Sequence, residues 1–270
     1  MKIVFIGAGS MAEAMIKGMK NAKAFQQTEL WVTNKNDKER LDLLTETYDI
    51  NSSYDTRSLL KDADIVILAV KPKDASDALH TIQPYMKGQL LISVLAGLST
   101  GYIESIIGPS PIARAMPNTS AMIGQSATGL TFNEHILDTQ REMTVSIFSA
   151  IGSVTQVEET RLDLVTGLSG SGPAYIYYIV EAMEEAAAEL GEDAMPFIVQ
   201  TLKGAAQMLE TSGRTPRELR KAITSEGGTT EAGIAQLEYH HVKEAFTACI
   251  KEATDHSGRL RRQFEQAHNI

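Results

Sequence analysis

Lys2-Ile3-Val4-Phe5-Ile6-Gly7-Ala8-Gly9-Ser10-Met11-Ala12 is the stretch on which the fold turns. Ile3 to Ile6 are apolar without alternation, as in a strand covered on both faces. Gly7 ends that run, and residues 11–19 read as a helix. Between strand and helix lies a GxGxxA fingerprint. Gly7 permits a tight turn, Gly9 lets the backbone approach a pyrophosphate, and Ala12 lets the helix pack on the sheet with its N-terminus facing the anion. A turn that is merely rich in small residues has the same composition. Strand, fingerprint and helix in that order point to a dinucleotide site.

The same alternation continues outward. Strands are predicted at 2–6, 30–33, 65–70, 90–94, 112–116, 129–132 and 153–157, with helices between them, for example 37–48 and 134–150. Residues 3–6, 65–70 and 90–92, and Val154 with Val157, read as covered on both faces. This is the pattern of βαβ units and a mostly parallel sheet. After Glu158 strand runs give way to Ala, Met, Leu and Glu, and helices are predicted at 174–190, with Gly191 as C-cap, and at 195–210, 216–223, 230–239 and 242–265. The expected fold is α/β, an N-terminal Rossmann-type domain over 1–157 followed by an all-helical domain over 158–270.

Composition narrows the function. The 270 residues carry 25 Lys and Arg against 34 Asp and Glu, a net charge of −9 that repels a phosphate backbone and argues against a nucleic-acid partner. The single cysteine, Cys249, can form neither an internal disulfide nor a cysteine zinc site, and it reads as a small buried apolar residue of an amphipathic helix. No run of about 18 uncharged apolar residues occurs, so a membrane partner is not expected and the location reads as cytoplasmic.

Several short motifs can carry chemistry. Thr33-Asn34-Lys35-Asn36 ends the second predicted strand with no acid before Asp37. A carboxylate there would bind the ribose 2′-OH of NAD, whereas Asn34 and Lys35 can donate to a 2′-phosphate, which favours NADP over ordinary loop roles. Ala69-Val70-Lys71-Pro72, Ala96-Gly97 and Met116-Pro117-Asn118 follow successive strands and sketch a crevice rim, although Lys71 can equally be a surface lysine in a turn set by Pro72. Residues 167–173 and 224–230 are Gly/Ser/Thr clusters ahead of helices. The second can hold a small carboxylate on free N–H groups and hydroxyls, but spacing alone favours plain N-caps at Ser171 and at Thr229 or Thr230. His240 and His241 are adjacent, point to different sides of a helix and have no carboxylate-His cluster, so no metal is expected. Ser10 lies in no GxSxG elbow.

Taken in order, Phe5-Ile6-Gly7-Ala8-Gly9, Ala69-Val70-Lys71-Pro72, Arg114-Ala115-Met116-Pro117-Asn118, the segment from Val165 through Gly172-Pro173-Ala174-Tyr175, and Gly227-Gly228-Thr229-Thr230 resemble the pyrroline-5-carboxylate reductases along essentially the full chain. Two positions depart from that pattern, Glu226 and Ser120, where proline is usual. The resemblance implies reduction of the cyclic imine 1-pyrroline-5-carboxylate to L-proline, the last step of proline synthesis. NADPH is the implied cofactor, with NADH weaker. It places cofactor contacts at Ile6, Gly7, Ala8, Gly9, Ser10 and Met11, at Asn34, Lys35 and Thr56, at Ala69, Val70, Lys71 and Pro72, and at Ala96. It gives the substrate carboxylate to Gly228 and Thr229, the ring nitrogen to Thr230 as the catalytic contact, and sets Glu159 near the ligand. It also implies a homodimer interlocked through the helical half, with a decamer of dimers as the larger assembly. Two rivals remain at this stage, a related NADP-dependent imine or hydroxyacid reductase and a non-catalytic NADP-binding subunit.

Overall fold

The computed structural model describes residues 1–267, apart from the side chains of 191–193 and 267, and the last three residues of the helical half lie outside the described residues. Gly191 does not cap the helix predicted at 174–190: that helix ends at Ala186, and Gly191 lies within a 3-10 turn over Ala188–Asp193. Eight strands form one sheet: β1 Lys2–Ile6, β2 Glu29–Thr33, β3 Asn51–Ser52, β4 Ile65–Leu68, β5 Leu90–Ser93, β6 Ile112–Met116, β7 Ser126–Phe132 and β8 Gly152–Gln156. Their spatial order is β3-β2-β1-β4-β5-β6-β7-β8, and every neighbouring pair is parallel except β6 with β7. Helices α1 Ser10–Asn21, α2 Lys38–Tyr48, α3 Thr56–Leu60, α4 Ala75–Ile82, α5 Thr100–Ile107 and α6 Asp138–Ser149 occupy the connections. They are followed by α7 Leu162–Val165, α8 Gly172–Ala186, α9 Ala194–Thr211, α10 Pro216–Ala222, α11 Thr229–Tyr239 and α12 Val242–Ala267.

The period of two in β1 explains the two-sided core. Ile3 and Phe5 pack on one face with Met15, Met19, Leu41, Ile147 and Phe148, while Val4 and Ile6 pack on the other with Leu59, Leu79, Leu91 and Tyr102. At about 25 cal/mol per Å² of apolar surface, covering both faces is what holds the sheet together. Strand order reverses between β1 and β4, so a crevice opens outside their carboxyl ends.

Four further readings need correction. The pairing of β3 is missing from the sequence reading, because a two-residue strand has no hydrophobic period. β8 is an edge strand, with Ser153, Thr155 and Gln156 exposed and no second partner; Val154 is half-buried, and two-sided cover does not extend there. Residues 166–170 form a π-helical turn joining α7 to α8, with the Ser171 amide donating to the Thr166 carbonyl at 2.9 Å, instead of a capped break. Cys249 is exposed in the single chain, not buried.

The chain divides into two compact units, Met1–Pro173 with the chain from Lys251 on, and Ala174–Ile250. The change of residue texture at Glu158 thus precedes the boundary between units. Residues 158–173 and the second half of α12 pack with the sheet: Phe264 tilts against Tyr102 with ring centroids 5.6 Å apart, and Asp163 accepts from Ser257 Oγ at 2.8 Å and Arg261 Nε at 3.2 Å. In the other unit α8, α10 and α11 bury no residue, and α9 buries only Ala194 and Ile198. Ile176, Tyr177, Tyr178, Phe197, Leu237 and Tyr239 stand exposed. Among the described residues no helix is long and apolar enough to cross a membrane.

Candidate active site

The GxGxxA turn runs as its residue types dictate, with one refinement. Gly7 has φ +113°, and a Cβ there would lie 2.4 Å from the Ala69 carbonyl oxygen, so the β1 and β4 ends can approach only at a glycine. The Gly7 amide donates to Thr33 O at 2.9 Å and that of Ala69 to Ile6 O at 2.8 Å, which ties β2, β1 and β4 together at the rim. Gly9 is the N-cap of α1, in extended conformation and with no side chain capping the helix; a Cβ at Gly9 would meet nothing within 4 Å. The first turn, containing Ser10, Met11 and buried Ala12, therefore presents its N–H groups to open space. That is the cradle a pyrophosphate needs.

Arg40 secures this turn. Its Nε donates to the Ala8 carbonyl at 2.8 Å and its Nη2 pairs with Glu13 at 2.5 Å, while Tyr48 donates to the other Glu13 oxygen at 3.0 Å. The hydrogen bond from Arg40 holds the Glu13 carboxyl below its ordinary value, outweighing burial, with Tyr48 adding to it. Nothing in the sequence marks Arg40, since its partners lie 27 and 32 residues away.

Beside the turn is a cleft of about 440 Å³ lined by Ile6, Gly7, Asn34, Lys35, Thr56 and Val70 of the expected cofactor residues. Thr33, named above only as part of the motif that ends β2, lines it too, and so do Tyr54, Asp74, Asp77 and Thr81, which no motif marks, because α4 and the chain after β3 reach the cleft only through the tertiary fold. Lys35 is exposed. Asn34 is committed elsewhere: its amide donates to Asp37 O at 2.6 Å, and its carbonyl oxygen accepts from Asp37 N at 2.9 Å and Tyr54 OH at 3.2 Å. Among the described residues that line this cleft, Lys35 is the one that carries a positive charge. Ala69, Lys71, Pro72 and Ala96 follow β4 and β5 on the rim, outside this cleft.

Toward β5 and β6, Arg114 is buried, 4% exposed, and its Nη1 lies 2.6 Å from Glu159 Oε1. Thr100 donates to the same carboxylate through its amide and its hydroxyl, both at 2.7 Å. Burial opposes ionisation of Glu159, but the Arg114 charge and the Thr100 donors prevail and hold its carboxyl below the ordinary value. Asn118 Nδ2 donates to Ser169 O at 3.1 Å, which ties the Met116-Pro117-Asn118 loop to the π turn. Ser120 donates its amide to Asn118 Oδ1 at 3.1 Å, a bond that proline could not make.

Gly228, Thr229 and Thr230 belong to the other unit and are described there. Gly228 is the N-cap of α11, with no capping side chain, so Thr229 and Thr230 are the first two helical residues and neither is a cap. Gly227 has φ +72° and its amide is bound by Glu231 at 2.7 Å. A Cβ at Gly228 would lie 2.7 Å from Ser225 Oγ. The N-terminus of α11 is left open, with two hydroxyls beside it. Glu226 is exposed. Among the described residues no group of three or more His, Cys, Asp or Glu could hold a metal ion.

Comparison with known proteins agrees with this layout. The family model described as pyrroline-5-carboxylate reductase dimerisation matches residues 159–260, and one described as NADP oxidoreductase coenzyme F420-dependent matches residues 2–97. Pyrroline-5-carboxylate reductase 2 of Bacillus subtilis is 44% identical over 270 residues, covering 98% of this chain and 97% of that one. A pyrroline-5-carboxylate reductase structure from Coxiella burnetii superposes with a TM-score of 0.86 at 36% identity over 96% of this chain and 97% of that one. The Plasmodium falciparum pyrroline carboxylate reductase with NADP bound gives 0.85 at 28% identity, over 96% and 98%. With both halves of the sequence matched and relatives aligned nearly end to end, the chain belongs to the pyrroline-5-carboxylate reductase family.

Proposed function

We propose that the protein reduces 1-pyrroline-5-carboxylate to L-proline with NADPH, NADH serving more weakly. The observation that carries this is the near full-length identity to pyrroline-5-carboxylate reductase 2, joined to an open α11 N-terminus at Gly228-Thr229-Thr230. NADPH, held at the Gly7 to Met11 turn, would supply the hydride for ring carbon 5, and solvent would supply the proton for the ring nitrogen. An iminium carbon is already electrophilic, so the chain has chiefly to bind, orient and exclude water.

In this reading Gly7, Ala8, Gly9, Ser10 and Met11 bind the pyrophosphate, with Ile6 beneath them. Lys35 reads the 2′-phosphate, and Asn34 shapes the turn that carries it. Thr56, Ala69, Val70, Lys71, Pro72 and Ala96 complete the cofactor contacts. Gly228 and Thr229 hold the substrate carboxylate through backbone N–H groups, and Thr230 bonds the ring nitrogen. Glu159 stands on the nicotinamide side. Residues 1–157 then form the cofactor domain and 158–270 the substrate and dimerisation domain, a division by function that the match over 159–260 supports. The bare apolar faces of α8, α9 and α11 are covered in a homodimer. Assembly of those dimers into a decamer and a cytoplasmic location complete the proposal. The test is NADPH oxidation with pyrroline-5-carboxylate, with a panel of ketoacids and with no substrate. Turnover of the ketoacids instead of the imine would overturn the proposal.

A further inference from the structure

Three ties converge on the rim of the crevice beside β5 and β6, and all start from the chain between Glu159 and Ser169. Glu159 binds both donors of Thr100, the first residue of α5, four residues beyond Ala96. Asp163 holds Ser257 and Arg261 of α12, and this brings Leu260 against the same loop from another side: a Cβ on Gly97 would lie 3.1 Å from Leu260 Cβ. Ser169 O receives Asn118. Of the four or so lone-pair directions a carboxylate offers, Glu159 spends three on its own chain. Among the described residues Arg114 pairs with no carboxylate but that of Glu159, and its buried Nε has no hydrogen-bond partner. Losing Glu159 would leave a buried cation uncompensated. In a doubly wound sheet the β1-β2-β3 side takes the adenosine half of a dinucleotide and the β4-β5-β6 side the nicotinamide half.

We propose, resting on the cofactor reading above, that Glu159 is a positioning residue: paired with Arg114 and bonded to Thr100, it braces the Ala96–Thr100 loop that holds the nicotinamide, and it does not bind the imine. A brace differs from a ligand in its response to Arg114. Glu159→Gln strands the Arg114 charge, whereas Arg114→Met combined with Glu159→Gln removes it. Three quantities are measured on the full-length protein: kcat and KM for the imine, the NADPH dissociation constant, and the fluorescence lifetime of bound NADPH, which reports how firmly the nicotinamide is held without turnover. Glu159→Gln is expected to lower kcat tenfold to a hundredfold and shorten that lifetime, with less than threefold change in imine KM and in NADPH affinity. The double variant should regain at least tenfold in kcat when the single loses a hundredfold, and lengthen the lifetime again. Thr100→Val, which removes one uncharged hydrogen bond and carries the test if Glu159→Gln fails to fold, should lower kcat threefold to tenfold at unchanged imine KM. A raised imine KM in Glu159→Gln that the second substitution leaves in place would overturn the brace and make Glu159 a substrate ligand. So would unchanged kcat and lifetime in Thr100→Val. Absence of imine turnover in the wild type would instead count against the assigned reaction, and the lifetimes would still decide the brace.

Discussion

At the scale of single residues, two glycines of one motif have separable roles. Gly7→Ala would force a Cβ 2.4 Å from the Ala69 oxygen at φ +113°, which no side-chain motion relieves. The expected loss of stability is about 3 kcal/mol or more. Gly9→Ala meets open space at a permitted φ of −76°, so it should cost at most about 1 kcal/mol as a poorer N-cap while obstructing the pyrophosphate. Thermal melts with and without NADPH check the pair: Gly7→Ala melts early in both, and Gly9→Ala chiefly loses the shift that the ligand induces. Thr230→Val keeps the β-branched shape and removes one hydroxyl. Its kcat/KM should fall by roughly tenfold to a hundredfold, about 1 to 3 kcal/mol, at unchanged melting temperature. Glu159 adds a pH dependence. Burial raises its carboxyl, but Arg114 and Thr100 lower it further, and the folded value ends below the ordinary 4.5. The stability this contributes is complete above about pH 4.5 and is lost as pH falls through the folded value. Below pH 4.5 the melting temperature of Glu159→Gln should therefore fall less steeply than that of the wild type.

At the scale of elements, local signals and their limits are both visible. The turn after β2 was expected to read the cofactor's phosphate through Asn34 and Lys35, yet the Asn34 amide closes its own turn onto Asp37. Lys35 is then the residue to change. Lys35→Ser should lower the NADPH preference more than Asn34→Ser does, and placing an acid at 34 beside a neutral 35 should move the kcat/KM ratio toward NADH. Kinetics with both cofactors measure it. At α11 the spacing favoured a Thr cap, but the N-cap is Gly228, the helix starts at Thr229, and no side chain caps its N-terminus. The hydroxyl composition was legible; the starting residue was not, because it depends on Gly227 at φ +72° and on Glu231 binding the Gly227 amide. The π turn at 166–170 escaped for a similar reason, since one added residue in a helix leaves no periodic trace.

At the scale of the whole molecule, the helices of 174–250 leave Tyr178 and Phe197 exposed at 71% and 67% in the single chain, both within the stretch that the dimerisation model matches. Phe197→Asp should shift the sedimenting species from the assembled form, a dimer of 29.4 kDa chains or the decamer built from it, toward the single chain and make melting less dependent on protein concentration. The sequence by itself determined the α/β class, the order of seven of the eight strands along the chain, the tight glycine turn between β1 and α1 at Gly7 to Ala12 and the mainly helical character of the described residues after Glu158. Each of these is written in short-range patterns: a run of apolar residues, a glycine spacing, a helical period. Only the tertiary structure decided that Arg40 holds the Ala8 carbonyl, that Glu159 belongs to Arg114 and Thr100, that Asp163 draws α12 back onto the sheet, and that Cys249 is exposed. Arg114 and Glu159 lie 45 residues apart and Asp163 and Arg261 98, and a polar side chain's partner over such distances is set by which strands and helices come to lie side by side, a choice no local period encodes.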